Sequence, residues 1–301
     1  MIIVRTPLRI SIAGGGTDLP AWYSKHGSMF ISAAINKYIY ITYHCSKFDS
    51  RIRLRYSKME EVDTVDEIQH DIIKETLRLC HVKDSVELTS HAEIPSGTGL
   101  GSSGSFGVGI FHAISKKNDP SLLALRATDI QMDTLGHPIG VQDQYVAAYG
   151  GVNRYDVTSA GEVAVQPIEP PQGLQLFFTG LKRDANEVLR ASTQDGLEQI
   201  QELAWDTKVA LENKDYRRYG EIMNEHWNHK KKRGGMTNPQ IDEWYDLALK
   251  NGAVGGKIVG AGGGGFLLFY TEDKERLVKA MPLQHLPFKF DYEGSKVLLN
   301  D

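Results

Sequence analysis

At 301 residues the chain exceeds the length at which single hydrophobic cores usually stop growing, so two domains are expected. Its composition, 41 % hydrophobic and 24 % charged, is that of an ordinary globular protein, and a net charge of −4 argues against a nucleic-acid or anionic-membrane partner. No run approaches 18 apolar residues, no basic start precedes an apolar core, and Cys45 and Cys80 lack metal spacing, so the expectation is a cytoplasmic protein with free thiols.

Residues 2–13 alternate and then turn apolar before Gly14-Gly15-Gly16, which predicts a strand ending in a tight turn; Asp18, Leu19 and Pro20 then open a short helix or loop. Three β-branched or aromatic runs, 29–35, 38–43 and 51–56, predict further strands. Residues 66–79 place Ile68, Ile72, Ile73, Leu77 and Leu79 near helical spacing, and 86–94 returns to strand. Beyond a glycine-rich loop come helices at 102–116 and 121–135, a loop at 136–140, a helical 141–149, and a hairpin of 152–157 with 163–168. The stretch 167–173, holding Pro170 and Pro171, is the linker candidate and divides the chain into 1–170 and 171–301. After it the pattern predicts a strand at 174–178, helices at 184–194, 196–213, 215–233 and 239–251, strands at 256–259 and 266–270, a helix at 274–281 and a strand near 288–299. Strands and helices segregate in both halves, which argues α+β over a doubly wound parallel fold.

The chemistry centres on Pro95-Ser-Gly-Thr-Gly-Leu-Gly-Ser-Ser-Gly104, between a predicted strand and a predicted helix. Gly97, Gly99 and Gly101 let the backbone turn tightly and expose its N–H groups. Ser102 and Ser103 then open a helix whose positive end faces the same space, a phosphate cradle in outline. A Walker loop would need Lys followed by Ser or Thr after its last glycine, and Ser102 stands there instead. Gly99-Leu-Gly-Ser-Ser-Gly104 also satisfies the dinucleotide pattern, but that fingerprint wants an acidic strand end about 20 residues on. Lys116-Lys-Asn-Asp-Pro120 and a helical stretch follow instead.

This loop resembles the phosphate-binding motif of the GHMP small-molecule kinases, and three other stretches resemble that superfamily's signatures in the same order. Thr6-Pro-Leu-Arg9 leads through Gly14-Gly15-Gly16 to Thr17-Asp18, Gly140-Val-Gln-Asp143 precedes Gly150-Gly151, and Lys257-Ile-Val-Gly260 opens a glycine run ending at Gly265. The resemblance implies a two-domain α+β kinase using ATP and Mg2+, with an N-terminal domain like ribosomal protein S5 domain 2 and a ferredoxin-like C-terminal domain. It implies that Pro95, Gly97, Thr98, Gly99, Leu100, Gly101, Ser102, Ser103 and Gly104 cradle the nucleotide phosphates, with Ser103 on the magnesium ion. Asp143 would take the proton of the substrate hydroxyl. Arg9 would stabilise the transferred phosphoryl group, a role that suits a permanently charged, forked guanidinium. Asp18, with Gly16 and Thr17, would hold sugar hydroxyls. Where the superfamily often carries a magnesium-binding Glu this chain has Gln131, a poorer ligand for a hard cation. Three explanations stay open: the ion is held by Ser103, nucleotide phosphates and water, or the register differs, or catalysis is impaired.

A finer resemblance, to the D-glycero-D-manno-heptose 7-phosphate 1-kinases, rests on Ala13-Gly-Gly-Gly-Thr-Asp-Leu-Pro20, Gln142-Asp-Gln-Tyr145, Thr179-Gly-Leu-Lys-Arg-Asp-Ala185 and His226-Trp227 with Lys230. It implies phosphorylation of the anomeric C1 hydroxyl of a sugar phosphate to the 1,7-bisphosphate, for nucleotide-activated heptose and surface glycans. A 1-kinase for an unphosphorylated sugar such as fucose stays open beside it, as does a sugar or nucleotide sensor without catalysis. Arg183 and Lys230 are the candidates for a distal phosphate, Arg183 because Asp184 and Glu187 have capping-box spacing and start a helix there. Lys182-Arg183 also fits a solvated pair, and Lys230-Lys-Lys-Arg233 fits cations that complement a helix C-terminus before Gly234-Gly235. His226 and His229 lack a third ligand at zinc spacing. The implied partners are ATP and the sugar phosphate, with neither nucleic acid nor membrane, and a homodimer stays open.

Overall fold

The computed structural model describes residues 1–182, 188 and 193–301. β1 (Ile2–Ala13) and β2 (Ser28–Cys45) form a long antiparallel pair, connected through a glycine turn and the short helix α1 (Pro20–His26). The two runs expected at 29–35 and 38–43 are therefore one strand. Asn36 and Lys37 between them form a bulge, where the register against β1 jumps from Leu8–Ile35 to Pro7–Tyr38. Proline has no N–H to give the ladder and sits at this irregularity. The backbone of Lys289 meets Asn36 from outside the pair.

β3 (Ile52–Arg55), β4 (Met59–Val62), β5 (Val86–Ala92), β6 (Val152–Val157) and β7 (Val163–Pro167) extend this sheet, with β5 pairing the second half of β2 and β6 its first half. The short β4, on the sheet's edge, carries Glu60 and Glu61 and has no apolar run to announce it. α3 (Ser102–Ser115) and α5 (Gln142–Tyr149) pack on β1 and β2, with α2 (Asp71–Leu79) and α4 (Pro120–Asp129) beside them. α4 does not continue regularly to Leu135 as expected. It widens into a π-helical turn at Ile130–Thr134, in which Gln131 is buried and Asp133 exposed.

A second sheet, antiparallel throughout, follows the first along the chain. Its order is β11-β8-β10-β9, from β8 (Leu174–Phe178), β9 (Ala253–Ile258), β10 (Phe266–Thr271) and β11 (Gln284–Leu286). α6 (Leu197–Glu212), α7 (Tyr216–Lys231), α8 (Pro239–Lys250) and α9 (Lys274–Ala280) accompany it. The last three start where Asp215, Asn238 and Asp273 accept the backbone N–H groups of Arg218, Ile241 and Arg276. The helix predicted at 184–194 falls largely outside the described residues. The final strand, expected at 288–299, is instead split. β12 (Lys296–Asn300) returns to the first sheet and pairs with β1, while Phe290 bridges Ile35. α6 also packs on β1 and β2, so the second half of the chain is tied to the first from two directions.

Candidate active site

A cavity of about 830 Å³ opens between the glycine loop, the turn after β1, the start of α5 and the α7 and β9 ends of the second half. α3 begins at Gly101, whose φ of 74° lies in the left-handed region, and no described side chain caps it, so its first N–H groups face the cavity as anion donors. A Cβ at Gly101 would stand 2.9 Å from Arg9 Cγ and 3.2 Å from Asp143 Cγ, and one at Gly104 would stand 2.5 Å from Asp143 Cβ. The helix start is thus seated directly on these two side chains. Arg9 Nε donates to Asp143 Oδ1 at 2.7 Å, and Arg9 Nη1 donates to Gly99 O at 2.6 Å. One guanidinium therefore fixes both the loop and the carboxylate. Asp143 keeps 31 % of its side chain exposed to the cavity, against 7 % for Arg9. Gly99 also meets Gly260 of the second glycine run backbone to backbone.

Asp18 lies across the cavity wall, its Oδ1 accepting from Gly16 N at 2.9 Å and its Oδ2 from Gln142 N at 3.4 Å. Burial pushes its pKa above the usual carboxylate range, and nearby Asp143 adds to the shift while the N–H donors oppose it. Thr17 turns inward, its hydroxyl donating to Gly14 O at 2.8 Å and meeting Ser28 Oγ at 2.7 Å. Thr98 likewise donates to Pro95 O at 2.9 Å, and Leu100 is buried in the core. These three shape their loops rather than present side chains to the cavity. The remaining loop residues named from the sequence, Pro95, Gly97 and Ser102 among them, line it together with Gly16.

Ser103 Oγ donates to Gln131 Oε1 at 3.1 Å, and Gln131 Nε2 donates to Ala127 O at 3.2 Å, so the amide oxygen faces the loop serine. The two groups are neutral, and no cluster of three or more His, Cys, Asp or Glu among the described residues could hold a metal. Two neutral oxygens suit a hard cation that would keep most of its water and would be held by few protein ligands.

Lys230 lines the cavity, and its Nζ donates to Ile258 O at 3.0 Å and Gly260 O at 2.5 Å. Arg183 lies outside the described residues. Beside Lys230 the fold places Lys257, Arg233 and His226, which were given no role from the sequence. Lys257 Nζ donates to Ile12 O at 2.8 Å and sits 3.5 Å from His226 Nδ1. Burial among cations holds His226 well below the ordinary histidine range, so its ring is neutral and can accept from Lys257. The signal for Lys257 was its place heading the C-terminal glycine motif; for Arg233 there was only a basic run with an ordinary explanation.

A second lobe of the cavity is apolar and aromatic. Phe106 stacks on His70 at 5.0 Å between centroids, Tyr56 meets His70 edge-on at 4.7 Å, and Ile39, Ile72 and Ala92 complete the walls. Burial lowers the His70 pKa, which favours the uncharged ring. These residues come from scattered strands, helices and loops, and no local pattern marks them.

The sequence matches the GHMP kinases N terminal domain over residues 68–151 and the GHMP kinases C terminal family over residues 207–285. It is 30 % identical to the D-glycero-alpha-D-manno-heptose 7-phosphate kinase of Campylobacter jejuni, over 98 % of each chain. It is 27 % identical to the L-fucokinase/L-fucose-1-P guanylyltransferase of Bacteroides fragilis, over 91 % of this chain and 35 % of that protein. The crystal structure of a D-glycero-D-manno-heptose 1-phosphate kinase from Bacteroides thetaiotaomicron superposes with a TM-score of 0.81 at 26 % identity, over all of both chains. The chain belongs to the GHMP kinase family and has its two-part α+β fold. It is accordingly a small-molecule phosphotransferase.

Proposed function

We propose that the chain transfers the γ-phosphoryl group of ATP to the anomeric C1 hydroxyl of a phosphorylated sugar, D-glycero-D-manno-heptose 7-phosphate, giving the 1,7-bisphosphate. The observation that carries this reading is the Arg9–Asp143 pair, seated under the uncapped N-terminus of α3 and facing the cavity. The glycine loop and helix N–H groups cradle the nucleotide phosphates, and the aromatic lobe around His70 and Phe106 takes the base. Asp143 accepts or orients the proton of the attacking hydroxyl, and Arg9 holds Asp143 while offering its remaining N–H groups to the phosphoryl oxygens. Asp18 holds sugar hydroxyls. Ser103 and Gln131 would hold a magnesium ion carried by ATP, which would offset phosphate charge. In this reading residues 1–170 bind the nucleotide and residues 171–301 complete the substrate side.

Support for the sugar comes from the two relatives named for a phosphorylated heptose. The fucokinase relative favours a second reading, an unphosphorylated sugar. ADP release from MgATP against heptose 7-phosphate, mannose, fucose and galactose, with phosphorus NMR on the product, separates them. A new anomeric phosphate with the 7-phosphate alone is expected. Turnover with free sugars alone would replace the first reading by the second, and ligand binding without turnover would leave a sensor. Asp143→Asn is expected to lower kcat by about 10²–10⁴-fold, and near-wild-type turnover would remove its role.

A further inference from the structure

We propose that Arg233, Lys230 and Lys257 form a second anion subsite, on the side of the cavity made by the end of β1 and its glycine turn, which receives the phosphate ester the substrate already carries. This rests on the reading of the substrate as a phosphorylated sugar. The transferred phosphoryl group has its own cradle at the α3 N-terminus and Arg9, so a doubly phosphorylated product needs another.

The three cations line the cavity yet are only 7 % (Lys230), 4 % (Arg233) and 2 % (Lys257) exposed. For the two lysines, a charge so deeply buried is costly unless an opposite charge compensates it. What Lys230 and Lys257 bond is backbone carbonyl: Ile258 and Gly260 for the first, Ile12 for the second. Carbonyl dipoles aim an ammonium group without neutralising it. Arg233 Nε donates to Thr193 O at 3.0 Å, and its Nη1 reaches the glycine turn, where a Cβ at Gly16 would stand 2.6 Å away. Asp18 is a carboxylate in electrostatic reach of Arg233, while Asp143 is engaged by Arg9. The cost of burial falls on the lysines. Burial, with Arg9 nearby, pulls Lys257 down to about 7, and burial with its cationic neighbours pulls Lys230 well below the ordinary lysine range. A phosphate arriving here would reverse that cost.

An independent observation points to the same place. Ser11 Oγ, in the cavity wall beside Gly15, has no hydrogen-bond partner among the described residues although Ser11 is only 6 % exposed. A buried hydroxyl without a partner is rare in a finished site and expected in one awaiting a polar ligand. It would meet the sugar as the three cations meet its phosphate.

Lys257→Met and Arg233→Gln test the subsite in the full chain. Lys257→Met keeps a long side chain without the buried charge, so folding is favoured, and an unchanged KM for ATP reports an intact fold. The expected result in each variant is a rise of about 10- to 100-fold in KM for heptose 7-phosphate, matched by its Kd in calorimetry without nucleotide. The KM for ATP should move less than about threefold. If ATP and sugar phosphate weaken together, the cations serve the nucleotide and the subsite is refuted. Wild-type enzyme that binds free and 7-phosphorylated sugar equally would overturn the substrate reading and the subsite with it. Wild-type preference for the 7-phosphate that survives in both variants would overturn the subsite alone.

Discussion

The contact between α3 and the start of α5 leaves no room for a methyl group, which gives Gly104→Ala a sharp expected outcome. The added Cβ would sit 2.5 Å from Asp143 Cβ, 2.9 Å from the Asp143 carbonyl carbon and 3.0 Å from Gln144 N. Carbon atoms pack comfortably at about 3.5–4.0 Å, so α5 has to retreat by roughly 1 Å. Alanine in a helix is favoured over glycine by roughly 0.5–1 kcal/mol, whereas an overpacked methyl costs about 1–3 kcal/mol. The first offsets part of the second, and the expected net loss is at most about 2.5 kcal/mol, or several degrees in Tm. Activity has no such compensation. Displacing a reacting group by about 1 Å costs on the order of 10²-fold in rate, because the positioning of the reactants is lost. Steady-state ADP release and thermal unfolding should therefore disagree, with kcat down about 100-fold in a protein that is nearly as stable. Gly109→Ala is the control, since its Cβ meets Thr6 Oγ1 at 2.8 Å and Ile41 Cγ1 at 3.1 Å, on the same helix but away from Asp143. Gly104→Ala with kcat within about threefold of wild type, or Gly109→Ala losing as much activity, would refute the positioning argument.

Three further outcomes are expected. Arg9→Lys keeps the charge but cannot bond Asp143 and Gly99 O in the same fork, so kcat should fall by about 10²–10³-fold; a small loss in kcat would show that charge alone suffices. Gln131→Glu sets a carboxylate opposite Ser103 Oγ and should lower the Mg2+ concentration needed for half-maximal ADP release, by about tenfold. An unchanged metal dependence would place the ion elsewhere. Stability should also vary with pH through His112, which is buried against Ser295 Oγ at 2.8 Å and held down to about 4 by that burial. The unfolded chain takes up this proton first, so the contribution is complete above the ordinary value near 6.5. It declines by up to about 1.4 kcal/mol per pH unit as pH falls toward 4. Denaturant unfolding at pH 5 and 7 checks this, and an identical pH slope in His112→Gln would contradict it.

Much of the site was legible because its chemistry is backbone chemistry. A loop that exposes N–H groups to an anion needs glycine at positive φ, as at Gly97, Gly99 and Gly101, and such positions declare themselves in the sequence. Arg9, Asp18 and Asp143 each neighbour such a stretch, and the fold brings Arg9 and Asp143 to 2.7 Å although 134 residues separate them. Helix boundaries at 197–212, 216–231 and 239–250 lie within a residue or two of the spacing, since capping residues and apolar periodicity are local properties.

By itself, then, the amino-acid order determined most of the helices and strands, where the backbone must turn toward an anion, and which family's motifs occur in series. Tertiary structure alone decided the rest. Asn36-Lys37 read as a break and became a bulge because β1 supplies a continuous partner on both sides of it. Residues 296–300 left the second half for the first sheet because β1 offered a free edge. The aromatic lobe has no motif at all, and although Lys230 and Lys257 lie in recognisable stretches, nothing in the sequence joins them to each other or to Arg233. A side chain becomes a ligand for a base or a phosphate through its burial and its neighbours from distant segments, and neither is a property of spacing along the chain.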